Sequence, residues 1–235
     1  MKITCHMIMS VDGRLLPKYW SPLYNASSSV TEVYEAADAK LSADGWIVGR
    51  KTMAEYGADV VEEKEPMEGH KTMQTNTFIG KREGRPLAVV FDIQGRLHYK
   101  SPTLPSGEHI VAVLGSHVTR AYQKELEEIG VSYIMRTPGS KLEETQSALK
   151  HLEHDFNVKH MLLEGGAITC GNFLQMGLVD ELSMIVYPAL DGESDHPSVI
   201  ECQGVVEPLK KNRLELIDCE TIGSGYVWLR YNIHR

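Results

Sequence analysis

Glu164, Gly165 and Gly166 stand in "LLEGGAITCGNFL", residues 162–174, between an apolar run and a helix-like segment. A carboxylate followed by two residues without side chains is a chemical arrangement as well as a turn. The missing side chains let the backbone approach a ligand closely, and a helix start presents unpaired N–H groups to an anion. A pyrophosphate would suit that place. A tight turn needing positive φ would use the same glycines. Glu164 ends a strand that reads as buried, where a carboxylate without a partner is costly. It serves either the amides of the following helix or a bound ligand.

A second stretch has the same shape. "IVGRKTM", residues 47–53, runs from a strand through Gly49 into a helix start, with Arg50, Lys51 and Thr52 in the first turn. Cations at a helix N-terminus oppose the macrodipole, so they are a poor choice for stability alone. A bound phosphate would relieve the conflict, and a solvated surface pair is the plain alternative. Neither stretch is a Walker loop or a G-x-G-x-x-G fingerprint.

The elements that must position these turns alternate between strand and helix. "KITCHMIM" reads as a first strand. Ser29 opens a helix with Glu32 as its capping box and Val30, Val33, Tyr34, Ala37 and Leu41 as its apolar stripe. "GWIVG" is a short strand and "KTMAEYG" a short helix closed by Gly57. "PLAVVFD" and "HIVAVLG" read as buried strands. Ser116 can cap a helix striped by Val118, Tyr122, Leu126 and Ile129 and stopped by Gly130. "VSYIM" is another strand, and Leu142, Thr145, Leu149, Leu152 and Phe156 stripe the next helix. "VKHMLLEG" and "ELSMIVYPAL" are strands around the helix that ends at Gly177. The chain closes with a hairpin turning at Gly223-Ser224-Gly225. The polar stretch from Gly57 to Gly84 reads as a long loop. Such alternation implies a largely parallel sheet with helices on its faces, and ligands bound beyond the carboxyl ends of the strands.

Composition narrows the function classes. With 235 residues, 42% hydrophobic and 24% charged, the chain is ordinary globular material. No apolar run approaches the roughly 18 residues of a membrane helix. A net charge of −8 without a basic block argues against duplex nucleic acid as a partner. Cys5, Cys170, Cys202 and Cys219 form no C-x-x-C pair and read as buried, reduced thiols of a cytoplasmic protein. His151 and His154, near Asp155, read as a solvated helix face, so no metal site is expected. Arg136, after a strand, is a weak candidate for a phosphate contact.

Several motifs carry a family resemblance. "MSVDGR" at 9–14, "DGWIVGRKT" at 44–52, "VVFDIQGRL" at 89–97 and "LLEGGAITCGNFLQMGLVDEL" at 162–182 resemble the RibD C-terminal reductase family of riboflavin biosynthesis, within the dihydrofolate-reductase-like superfamily. The likeness extends from residue 1 to about 190. It implies a three-layer α/β/α sandwich with a mostly parallel sheet and a C-terminal antiparallel hairpin, one reductase domain over residues 1–235. It implies hydride transfer from NADPH to a pyrimidine-type heterocyclic metabolite, with 5-amino-6-(5-phosphoribosylamino)uracil reduction as precedent, and a homodimer. Carried over by position, Gly49, Arg50, Lys51 and Thr52, with Gly165, Gly166, Ala167, Ile168, Thr169 and Asn172, face the dinucleotide. The backbone of Ile8 lies near the nicotinamide. Arg14, Lys40 and Glu164 face the substrate, and Asp12 orients Arg14.

The sequence departs from the family in two places. A D-D-P-x-L-T-x-R segment that binds ribose phosphate is replaced by "MAEYGADVVEEKEPMEGHK", and G-E-S-x-W before the first helix by "SPLYNA". Two rival functions remain. A dihydrofolate or pteridine reductase would need a carboxylate facing the pocket from the first long helix, yet Glu32 and Glu35 lie opposite its apolar stripe and Asp38 only flanks it. A non-catalytic nucleotide-binding protein would keep both glycine turns and show no turnover.

Overall fold

The structure is a computed structural model describing residues 1–24, 28–57, 60–69, 77–204 and 207–235. In chain order the elements are β1 (Lys2–Ser10), a 3₁₀ turn (Pro17–Tyr19), α1 (Val30–Leu41), β2 (Gly45–Gly49), α2 (Arg50–Tyr56), β3 (Val60–Glu62), β4 (Leu87–Phe91), β5 (Leu97–Tyr99) and β6 (His109–Leu114). There follow α3 (Arg120–Ile129), β7 (Ser132–Met135), α4 (Lys141–Asp155), β8 (His160–Leu163), α5 (Ala167–Gln175), β9 (Glu181–Tyr187), α6 (Glu207–Lys210), β10 (Arg213–Ile222) and β11 (Tyr226–His234). They group into two compact units. One comprises Met1 and Asp44–Lys159, the other Lys2–Ala43 and His160–Arg235.

In the first unit β2, β4, β6 and β7 lie side by side and parallel, with Ile47 opposite Val89 and Val89 opposite Val111. Every residue of β6 and β7 is buried, the near-continuous apolar pattern of strands covered on both faces. β3 and β5 form a small antiparallel pair, Val60 opposite Tyr99. Thus the polar stretch read as a loop contains a strand, although 58–59 and 70–76 lie outside the described residues. Phe78 forms a bridge with Tyr133.

The second unit has the strand order β10-β11-β9-β1-β8, with β1 parallel to β8 and β9 and the closing hairpin antiparallel. The hairpin turns at residues 223–225, as expected. α1 covers one sheet face, its Tyr34 hydroxyl donating to the His6 carbonyl (2.8 Å) and its ring 4.4 Å from that imidazole. α5 covers the other, the Cys170 thiol meeting Met7 Sδ at 3.7 Å.

Helix starts follow their caps. Ser29 and Ser140 each close a capping box, with Glu32 and Glu143. α3 starts later than the sequence implies. Val118 N–H bonds back to Gly115 O and completes a turn first, so Thr119 and not Ser116 accepts the N–H of the third helical residue. The buried face of α4 is Thr145, Ala148 and Leu152. Leu142, in the first helical turn, is exposed instead. All four cysteines are free, but only Cys5 and Cys170 are buried, and Cys219 is exposed on β10. That strand is exposed along most of its length.

Two buried histidines set an acid limit. His6 bonds Ser183 Oγ through Nδ1 (2.8 Å), and that hydroxyl also receives Trp228 Nε1 (2.8 Å). His109 bonds Ser132 Oγ through Nε2 (2.7 Å). Burial is the main cause that lowers each imidazole from 6.5 to about 4. The unfolded chain therefore binds protons near pH 6.5 that the fold refuses. Stability is complete above that pH and is lost as pH falls toward 4, by about 2 kcal/mol per histidine at pH 5. Urea denaturation at pH 7 and pH 5 should show this loss. A flat profile would mean that the imidazoles are protonated in the fold.

Candidate cofactor and substrate site

In the second unit β8 stops early. Its last pair with β1 is Leu163 opposite Cys5, whereas β1 continues beside β9 to Ser10, opposite Tyr187. From His6 to Ser10 one backbone edge of β1 is therefore released from β8. Ile8, the residue expected near a nicotinamide, lies in the middle of that edge and pairs with Ile185 on its other side.

The chain leaves β8 through Glu164, Gly165 and Gly166. Gly165 has φ +123°, a backbone that side chains rarely adopt. A Cβ there would otherwise make only ordinary contact with Met7, so the angle selects glycine at this position. Gly166 has φ −69° and is the N-cap of α5, with no side chain capping the helix and no acidic residue in its first turn. The peptide joining the two is cis. Thr169 and Cys170 N–H groups bond to Gly166 O, at 2.9 and 3.1 Å. No side chain thus caps the head of α5, which fits an anionic cofactor group. Gly171, one turn on, has a different reason. A Cβ there would collide with the carbonyl of Glu201, whose N–H donates to Ala167 O (3.1 Å).

Glu164 is half buried. Its charge reaches Tyr34 and Cys170, both held well above their ordinary pKa. For the phenol burial comes first and Glu164 second; for the thiol the main cause is a hydrogen bond with Cys5. No sequence spacing points to this neighbourhood. Tyr34 read as one member of an apolar stripe, and His6 lay in a strand whose partners were unknown.

Other expected residues are engaged differently. Asp12 does not orient Arg14. It accepts from Ser10 Oγ (2.6 Å) and from the N–H groups of Asp191 (3.2 Å) and Gly192 (2.8 Å). These bonds, Ser10's foremost, hold its carboxyl down at about 2. Arg14 instead donates through Nη1 to the His196 carbonyl (2.7 Å). Lys40 is exposed on α1, paired with Glu220 (2.7 Å) and lying over Trp228 (5.2 Å). It belongs to the hairpin rather than to the Glu164 turn.

In the first unit Gly49 is the N-cap of α2, again without a side-chain cap. Arg50 forms an ion pair with Glu62 and lies 4.0 Å from Asp92. Asp92 is buried and accepts the N–H groups of Arg96 (2.6 Å) and Leu97 (2.8 Å); burial raises its pKa. The dipole conflict at this helix start is thus relieved for Arg50 by the protein's own acids. Lys51 is exposed and forms no ion pair among the described residues. Arg136 pairs with Glu144 (2.9 Å). Among the described residues no His/Cys/Asp/Glu group could hold a metal ion, and no helix is long and apolar enough to cross a membrane. A cavity of about 560 Å³ beside Glu62, Glu65 and His98 is an acidic groove on the β3 side of the first unit and contains none of the expected site residues.

Residues 1–228, spanning both units, match the RibD C-terminal domain. The chain belongs to that family. It is 26% identical over 152 residues to a 2,5-diamino-6-ribosylamino-4(3H)-pyrimidinone 5′-phosphate reductase of Archaeoglobus fulgidus, over 64% of this chain and 65% of that one. To the protein of the same description from Methanothermobacter thermautotrophicus it is 30% identical over 74 residues, 32% of this chain and 34% of that one. The matches thus span less than two thirds of either relative's length. Among solved structures, a pyrimidine reductase-like protein of Corynebacterium diphtheriae has a TM-score of 0.65 at 19% identity, over 100% of this chain and 92% of that one. RibD of Acinetobacter baumannii also scores 0.65, at 20% identity, over 99% and 58%. These likenesses carry the fold, which is the dihydrofolate-reductase-like α/β arrangement that the motifs implied.

The two turn glycines should separate in mutation. Gly166→Ala has an allowed backbone angle, so it should keep the melting temperature and lose cofactor affinity. Gly165→Ala should lose stability as well. Calorimetric titration with NADPH and thermal melts on both variants test this. Unchanged affinity in Gly166→Ala would reduce the turn to a purely structural role.

Proposed function

We propose that this chain is a NADPH-dependent reductase of a pyrimidine-type heterocyclic metabolite, built as one reductase domain over residues 1–235 and working in the cytoplasm. The observation that carries the reading is the uncapped Glu164-Gly165-Gly166 exit beside the released edge of β1, in a chain that matches a reductase family over residues 1–228. The A. fulgidus relative, a ribosylaminopyrimidinone phosphate reductase by description, supports the substrate class. When bound, the nicotinamide supplies a hydride.

The chain's own residues do the rest. Gly166 and the first turn of α5, through Asn172, hold the dinucleotide by backbone and small side chains. Gly49, Lys51 and Thr52, at the head of α2, are assigned to the dinucleotide by the family likeness alone. With Arg50 engaged by Glu62, preference for the extra phosphate of NADPH rests on Lys51 and on the family likeness. Ile8 offers backbone groups along the released edge of β1. Glu164 accepts hydrogen bonds from the heterocycle and favours the protonated form of the C=N bond, the form that accepts a hydride and is neutralised by it. The pteridine alternative is not favoured. Glu32 closes the α1 capping box and Glu35 is exposed, so neither offers the carboxylate that such chemistry requires.

A homodimer is part of the same proposal. Leu214, Leu216, Cys219, Val227, Leu229, Tyr231 and Ile233 share one face of the closing hairpin, and all are exposed or only half buried. Strand spacing and rise give this face, with Val186 of β9, about 400 Å², within the range of a typical monomer's largest apolar patch, which is often functional, and about half of a standard interface side. A second copy supplies an identical flat apolar face, and two such faces stack as sheets do in a sandwich. Leu216→Asp should convert a dimer to a monomer in sedimentation velocity. A wild-type monomer at micromolar concentration would remove the proposal.

Glu164→Gln keeps the shape and removes the charge. NADPH oxidation with a pyrimidine substrate should fall by about 10²–10³, the scale for one preorganised polar group, while NADPH affinity stays within about twofold. Full activity, or parallel loss of cofactor binding, would overturn the role of Glu164. Turnover of dihydropteridines in place of pyrimidines would overturn the substrate class.

A further inference from the structure

In the first unit β2 and β4 end side by side, Gly49 opposite Phe91, so Arg50 and Asp92 leave the sheet together at the carboxyl ends of two parallel strands. Ligands of α/β sheets bind beyond such ends. Glu62 reaches the same place from β3, where it stands opposite Leu97 of β5. The backbone beside it is fixed twice. Glu63 N–H donates to Arg96 O (2.9 Å), and Arg96 Nε donates to Glu63 O (2.6 Å). A single oxygen of Glu62, Oε1, then takes both arginines. It pairs with Arg50 Nη1 and lies 3.3 Å from Arg96 Nη2.

Guanidinium groups that converge on one oxygen are the usual means of holding a phosphate. Here the anion belongs to the chain itself. The place is open to solvent. The side chains of Arg50, Arg96 and Glu62 are 21%, 18% and 25% exposed, and Glu62 lines the cavity of about 560 Å³. Its charge is balanced as it stands. Two guanidinium groups face Glu62 and the buried Asp92, whose Oδ1 is 4.0 Å from Arg50 Nε. An arriving phosphate must break both pairs with Glu62 and then sit beside the displaced carboxylate. A neutral group in place of that carboxylate leaves one positive charge unmatched. Glu63, Lys64 and Glu65 at the rim are exposed, so solvent and salt screen them.

We propose that Arg50 and Arg96 form an anion subsite that Glu62 fills in cis, and that Glu62 thereby sets how tightly this chain binds the extra phosphate of NADPH. The proposal rests on the reductase reading and specifies its cofactor selectivity. NADPH and NADH differ only in that phosphate, so the ratio of their affinities measures how far the subsite is closed. An internal carboxylate lowers the ratio and leaves the contacts common to both cofactors untouched. Glu62 is a specificity-determining residue that acts by competition. The wild type separates the two cofactors weakly, and loss of one charge widens the gap.

The test is calorimetric titration of the wild type and Glu62→Gln with NADPH, NADH and inorganic pyrophosphate. Glu62→Gln keeps the shape of the side chain and frees both guanidinium groups. It should bind NADPH about 10- to 100-fold more tightly than the wild type, the range for one charge-assisted hydrogen bond, and pyrophosphate more tightly too. Its NADH affinity should stay within about twofold. Adding Arg96→Gln should cancel the gain. Glu65→Gln, in the same groove but with no arginine partner among the described residues, should change neither cofactor's affinity. If Glu62→Gln does not fold, Glu62→Ser at the same part-exposed position reads the same gain. An unchanged NADPH affinity, an equal gain for NADH, or the same gain from Glu65→Gln overturns the proposal. A gain for pyrophosphate while neither dinucleotide binds any form would sink the reductase reading and leave the closed anion subsite standing.

Discussion

The unequal length of two neighbouring strands is the constraint on which the second unit depends. β8 pairs with β1 only as far as Leu163 and Cys5, while β9 follows β1 to Ser10. A parallel strand that loses its neighbour on one side has N–H and C=O groups to satisfy elsewhere. Tyr34 does part of this by donating to the His6 carbonyl. The remaining edge opens where the Glu164 turn diverges, so one mismatch of register creates both the exit of α5 and the backbone edge beside it.

In the first unit a buried carboxylate has the organising part. Asp92 ends β4 and ties the following turn through the N–H groups of Arg96 and Leu97, with Arg50 beside it. Breaking such a pair by removing one partner costs far more than the pair itself contributes. Arg50 and Arg96 both meet Glu62, so the small β3–β5 pair and the start of α2 share one charge network.

What the sequence made legible was local. Ser29 with Glu32, the stop at Gly130, the hairpin turn at 223–225 and the exit through Gly165 each follow from a few adjacent residues, because caps and turns are chemistry between near neighbours. What it hid was long-range. Lys40 pairs with Glu220, 180 positions away, and Arg14 with the carbonyl of His196, 182 away. No spacing rule reaches that far, so a flanking lysine read as inward-facing and Arg14 was given the wrong orienting partner. The acidic partners of Arg50 are hidden from the sequence for a related reason. Its conflict with the helix dipole was real, but the relieving acids lay in β3 and at the end of β4.

Gly171 shows that a glycine near a ligand turn need not serve the ligand. The carbonyl of Glu201 occupies the space that any larger side chain would need, so substitution there must push α5 away from the segment at 199–202. A random-mutagenesis screen scored on survival would return positions 165, 166 and 171 as one intolerant run. It would thereby conceal three separate causes: a backbone angle, an uncapped helix head and a steric wall. Sequence variation alone would overstate the length of the binding motif by the width of that wall.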